Sequence, residues 1–127
     1  MNVQVEICVE STSFAEAAAE AGANRLEVCD RLDLDGLTPQ LGVVASALDT
    51  GASVVVMLRN RGDFLAGNDG GASLLGPLRE FASLGVQGVV FGFLQADGQL
   101  DGESNRRLLE AAKEHDLEVV FHRAIDA

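Results

Sequence analysis

The sequence predicts an α/β fold, an incomplete (β/α) barrel of about five parallel strands and four helices. Three observations carry this. Short apolar runs dense in Val alternate with Ala-, Leu- and Glu-rich segments along all 127 residues. The turns that lead into strands are short (Ala23-Asn24, Gly51-Ala52, Gly85-Val86, Asp116-Leu117), whereas the segments that leave them are longer and hold Gly, Asp, Arg and Asn. Long polar loops at the C-terminal ends of parallel strands are where such proteins build their sites. The turn Gly22-Ala23-Asn24-Arg25 also has a counterpart in Gly85-Val86-Gln87-Gly88, a weak internal repeat of the kind a barrel produces. The competing architecture is a doubly wound sheet. No Gly-rich phosphate loop follows the first strand, where Val9-Glu10-Ser11-Thr12-Ser13 stands instead. The last strand has no helix after it. Residues 1–127 therefore read as a single domain, a partial barrel truncated after its fifth strand.

Each element has a local reason. Val3 to Cys8 is an apolar run and the first strand. Ser11 to Ala21 is Ala- and Glu-rich, opened by Ser11 or Ser13 as a cap and closed by Gly22. Arg25 to Cys29 is the second strand. Thr38 is expected to cap the next helix, with Pro39 in its first position, running to about Leu48. Ser53 to Arg59 is the third strand. A Gly-containing loop follows, then a helix from Ser73 to Leu84 with an interruption expected near Pro77. Gln87 to Phe93 is the fourth strand. Asp97-Gly98 with Asp101 makes a tight turn, Glu103 to His115 is the fourth helix, and Glu118 to His122 is the fifth strand.

Composition excludes several functions. The formal net charge is −11 and the pI about 4.4, which disfavours a nucleic-acid-backbone binder or a partner of anionic membranes. No stretch approaches the roughly 20 apolar residues of a membrane helix. The N-terminal Met1-Asn2-Val3-Gln4-Val5-Glu6 has neither a basic region nor an apolar signal core, so export is not expected. With two Cys and no secretory signal, reduced thiols and a cytoplasmic location are expected. Truncation would leave sheet edges open, so the chain is expected to be a marginal partial barrel, to be completed by association as a homo-oligomer covering the open edge, or to be a gene fragment.

The chemistry centres on a tripeptide that occurs twice, Glu6-Ile7-Cys8 and Glu27-Val28-Cys29. In a strand, residues i and i+2 share a face, so each segment sets a carboxylate and a thiol together. Two adjacent barrel strands are expected to aim all four groups at one mouth. Thiolates suit soft ions such as Cu(I), and Cys8 and Cys29 on neighbouring strands are candidates to share one. The alternative is that both are small buried hydrophobes. Glu6 and Glu27 at core phase need partners. Arg59, Arg61, His122 and Arg123 are the expected ones, either as a self-satisfied ion-pair network or as an anion site. In the second case Arg59 and Arg61 grip an oxyanion, and His122, Glu6 or Glu27 serves as acid or base.

These residues together resemble the CutC family of copper homeostasis proteins. The likeness runs through Glu6-Ile7-Cys8, Arg25-Leu26-Glu27-Val28-Cys29, Gly36-Leu37-Thr38-Pro39, Met57-Leu58-Arg59-Asn60-Arg61-Gly62-Asp63-Phe64, Gly88-Val89-Val90-Phe91-Gly92 and Phe121-His122-Arg123-Ala124-Ile125-Asp126. The resemblance implies a TIM-type barrel associated with cytoplasmic copper handling. It implies Cys8 and Cys29 as copper ligands, and Glu6, Glu27, Arg59, Arg61, His122, Arg123 and Asp126 in the barrel-mouth pocket. The alternative function is a TIM-barrel enzyme acting on a small anionic substrate, bound through Arg59, Arg61, Arg123 and Asp126. A third is an inactive remnant. The sequence departs from the family's pattern at Asn60, where the family carries Pro, and at Gln95-Ala96, where it carries Thr-Pro.

Overall fold

The computed structural model describes residues 4–121. Strand and helix alternate as β1 (Glu6–Val9), α1 (Thr12–Glu20), β2 (Arg25–Val28), α2 (Leu41–Asp49), β3 (Ser53–Met57), α3 (Leu75–Leu84), β4 (Gly88–Phe91), α4 (Gly102–Glu114) and β5 (Glu118–Phe121). Short 3-10 turns at Leu32–Leu34 and Ala72–Leu74 lie in the loops after β2 and β3. The five strands pair in parallel in the order β1-β2-β3-β4-β5. A doubly wound sheet reverses direction at a switch point. Here each crossover adds its strand on the same side, and the helices pack on one face.

Side-chain parity divides the sheet. Ile7, Val9, Leu26, Val28, Val54, Val56, Val89 and Phe91 point outward and pack against Ala15, Ala18, Val44, Ala47, Leu78, Phe81, Leu108 and Ala112 of the helices. The other parity points inward. There Cys29, Val55, Met57 and Val90 form a second, smaller apolar cluster with Val120 against it. The inner face is strongly curled. Arg25 on β2 reaches Glu6 on β1 at 2.8 Å and Glu118 on β5 at 3.9 Å. A flat sheet would leave β2 and β5 about 14 Å apart. An ion pair across that gap is the mark of a sheet bending toward closure.

Two of the four α-helices among the described residues open on a side-chain cap. The Ser11 hydroxyl accepts from the Phe14 amide at 3.2 Å and opens α1. The Asp101 carboxylate accepts from both the amide and the hydroxyl of Ser104 and opens α4. Two expectations need correction. Thr38 does not cap α2. The helix begins later, with Gln40 at the cap position and no side-chain cap bond. The Thr38 hydroxyl instead donates to the Arg59 carbonyl at 3.0 Å and accepts from the Arg59 amide at 2.9 Å. Nor does Pro77 interrupt α3, which is continuous from Leu75 to Leu84. Pro77 falls in the first turn, where an amide would have no intrahelical acceptor to lose. No helix among the described residues is long and apolar enough to cross a membrane.

Candidate functional site

The register of β1 against β2 sorts the paired tripeptides into layers. Glu6 lies opposite Arg25, and Cys8 opposite Glu27. The second tripeptide is thus displaced by one pleat toward the C-terminal end, which sets Glu27 between Glu6 and the two thiols. At the floor, Glu6 accepts from Arg25 Nε at 3.0 Å and Nη2 at 2.8 Å. In the middle layer the Cys8 thiol donates to Glu27 Oε2 at 3.6 Å. In the top layer Cys29 is buried, its thiol donating to the Val9 carbonyl at 3.8 Å.

This stacking makes Glu27 and the two thiols reluctant to ionise. Burial, then the Glu27 charge, pushes Cys8 up to about 11. Burial, then the Cys8 and Glu27 charges, pushes Cys29 up to about 12. Glu27 is itself raised, chiefly by burial and then by Glu6, with Arg25 pulling the other way. Both thiols are therefore protonated at neutral pH unless a cation takes the proton's place.

The arginines have other work. Arg59 is 3% exposed. Its guanidinium donates to the carbonyls of Leu34, Gly36, Gly62 and Asp63, and stacks 4.7 Å over the Phe64 ring. Burial holds its pKa below the ordinary arginine value. Its fork ties the loop after β2 to the loop after β3 rather than being held out to a ligand. Arg61 is exposed and makes a bidentate pair with Asp63 at 3.0 and 2.9 Å. The partner of Glu6 is Arg25, not the Arg59 and Arg61 that sequence reasoning nominated. Arg25 shares the parity of Glu27, which was visible; its register opposite Glu6 was not. His122, Arg123 and Asp126 lie outside the described residues.

The segment between β2 and α2 folds over the top of the inner face. Asp30 and Leu37 form an antiparallel bridge, with N···O distances of 2.8 and 2.6 Å. Gly36 adopts a left-handed φ of +96°, and a Cβ there would lie 3.3 Å from Cys29 Cβ, 3.4 Å from its Sγ and 3.3 Å from Met57 Cε. The backbone thus rests directly on those two side chains. Cys29 also lines a cavity of about 190 Å³ together with Glu10, Asp30, Pro39, Gln40 and Val43. A larger cavity, about 390 Å³, lies apart from the thiols, between the loop at Gly67–Gly70 and the start of α4. Among the described residues no cluster of three or more His, Cys, Asp or Glu is arranged to hold a metal.

A sequence profile of the CutC family matches residues 3–127. The chain belongs to the CutC family. A family protein CutC of Aliivibrio fischeri is 41% identical over 128 residues, covering 99% of this chain and 52% of that protein. The copper homeostasis protein cutC homolog of Caenorhabditis elegans is 39% identical over 127 residues, covering 98% of this chain and 50% of that one. The chain spans about half the length of the CutC relatives it matches. Among solved structures, the CutC of Streptococcus agalactiae superposes with a TM-score of 0.86 at 30% identity, over 98% of this chain and 61% of that one. Tryptophan synthase of M. tuberculosis superposes at 0.65 with 16% identity, over 94% of this chain and 54% of that one, a likeness of fold alone. The partial barrel read from strand order thus has CutC and other barrel proteins as structural neighbours.

Proposed function

We propose that this CutC-family chain takes part in copper homeostasis by binding Cu(I) through Cys8 and Cys29. The observation that carries the reading is their placement. Cys8 faces Glu27 across β1 and β2, and Cys29 is the next inward-pointing residue after Glu27. Two thiols therefore stand on adjacent strands, one pleat apart, on one face. Thiolate is the soft ligand Cu(I) prefers, and a pair suffices for an ion that accepts low coordination. The names of the relatives point the same way.

The neighbouring groups have roles in loading the ion. Cu(I) displaces the Cys8 proton, and Glu27 Oε2, already accepting from that thiol, takes it and passes it to solvent. Its raised pKa suits it to hold that proton briefly. The Cys29 thiol, which donates to the Val9 carbonyl, would release its proton to solvent, since the bound cation offsets the burial that keeps the thiol neutral.

The test is anaerobic Cu(I) titration of the chain against a competing chelator. One ion per chain is expected, with affinity reduced at least tenfold in Cys8→Ser and in Cys29→Ser. Undiminished stoichiometric binding by the double variant would sink the proposal.

A further inference from the structure

We infer that the thioether of Met57 is a third sulfur donor to the ion bound by Cys8 and Cys29. This rests on the copper reading above and deepens it. The register pairs Val28 with Val56, so the next residues, Cys29 and Met57, stand level on neighbouring strands. Both belong to the inner-face cluster with Val55 and Val90. Their proximity has an independent marker in Gly36. A single methyl added there would touch Cys29 Sγ at 3.4 Å and Met57 Cε at 3.3 Å. The thiol and the thioether methyl therefore flank one point in space.

Chemistry favours the thioether over its apolar neighbours. The buried inner-face neighbours on β3 and β4 are Val55 and Val90, which offer no lone pair. Met57 places a polarizable sulfur on a flexible stem beside Cys29, and it is 3% exposed. Thioether sulfur, like thiolate, selects Cu(I) over harder ions. It also needs no deprotonation, so it adds a donor without adding another charge one pleat above Glu27. Cys29 then stands between its two sulfur partners, Cys8 one pleat below on β1 and Met57 level with it on β3. The loop at Gly36, held by the Arg59 guanidinium, covers the upper pair.

The experiment counts the sulfur scatterers around the bound metal. Copper X-ray absorption spectra are recorded on the chain loaded anaerobically with one equivalent of Cu(I), beside the chelator titration. Three sulfur scatterers are expected in the parent chain and two in Met57→Leu, a swap that nearly conserves core volume. Met57→Leu is expected to bind with about tenfold lower affinity at unchanged stoichiometry. A second readout needs no variant. The chain has two methionines, so [methyl-13C]Met labelling gives two signals, and the Met57 methyl is expected to shift on Cu(I) addition. Tight binding with two sulfur scatterers and an unmoved Met57 methyl overturns this inference and leaves the Cys8–Cys29 site standing. Absence of Cu(I) binding by the folded parent chain overturns both.

Discussion

The Cys8 thiol donates to Glu27 Oε2 across the β1–β2 pair, so the most accessible sulfur of the inner face is held next to a carboxylate. That contact decides how the thiol reacts. Because burial and then the Glu27 charge raise Cys8 to about 11, little thiolate exists at pH 8. Glu27→Gln removes the charge and keeps a hydrogen-bond acceptor. Alkylation of Cys8 at pH 8 is expected to accelerate roughly three- to tenfold, the change one pKa unit or less confers. Cys29, buried and pushed to about 12, is expected to react last in both forms. Mass-resolved iodoacetamide kinetics read both rates, and equal rates for Cys8 in the two forms would contradict the coupling.

The same carboxylate makes stability depend on pH. Glu27 has a folded pKa above its unfolded value, so the folded chain holds its proton more tightly than the unfolded chain does. Its contribution is greatest below the unfolded value near 4.5 and is lost as pH rises through the raised folded value. Urea midpoints of the parent chain are therefore expected to carry a falling component from about pH 4.5 upward. Glu27→Gln is expected to remove that component, and its midpoint should exceed the parent's most at the upper end of the window. Parallel pH profiles for the two proteins would contradict this assignment.

Arg59 acts as a clamp. Its side chain satisfies four carbonyls from two loops, and its backbone is bonded on both sides to the Thr38 hydroxyl. Arg59→Ala strands those carbonyls and is expected to cost about 2–4 kcal/mol. Arg59→Lys cannot reproduce the fork and is expected to recover only part of the loss. Chemical denaturation reads the size. Hydrogen exchange locates it, with the amides of Leu37 and Thr38 expected to open first because the loop they anchor is released.

Two glycines permit close approaches that alanine would prevent. At Gly88, a Cβ would lie 2.6 Å from the Glu118 carbonyl oxygen and 2.9 Å from its Cβ on the neighbouring strand. Gly88→Ala is expected to force β4 and β5 apart and destabilise by about 2–4 kcal/mol. At Gly36, the left-handed backbone and the contacts with Cys29 and Met57 combine, and Gly36→Ala is expected to cost about 1–3 kcal/mol. Gly42 is the control. It lies in α2 with nothing within 4 Å of its would-be Cβ, and Gly42→Ala is expected to stabilise by about 0.5 kcal/mol. Thermal melts of the three variants should rank in that order.

The sequence by itself determined the alternation of elements, the parallel sheet and the parity of each strand. These follow from apolar periodicity and from caps such as Ser11, which act over a few residues. It also placed Glu6 with Cys8, and Glu27 with Cys29, on common faces, because i and i+2 share a side in any strand. What lies across from what was decided only by the tertiary structure. Glu6 lies opposite Arg25, and Glu27 opposite Cys8, because strand register is set by packing of the whole sheet, and no local pattern encodes it. Thr38 likewise had every mark of a helix cap and was taken by the Arg59 backbone, a residue 21 positions away. Separation along the chain likewise hid Met57 beside Cys29, and hid the Leu34 and Gly36 carbonyls that Arg59 reaches. A periodicity reports which way a side chain faces; its neighbour on the next strand depends on how the chain returns.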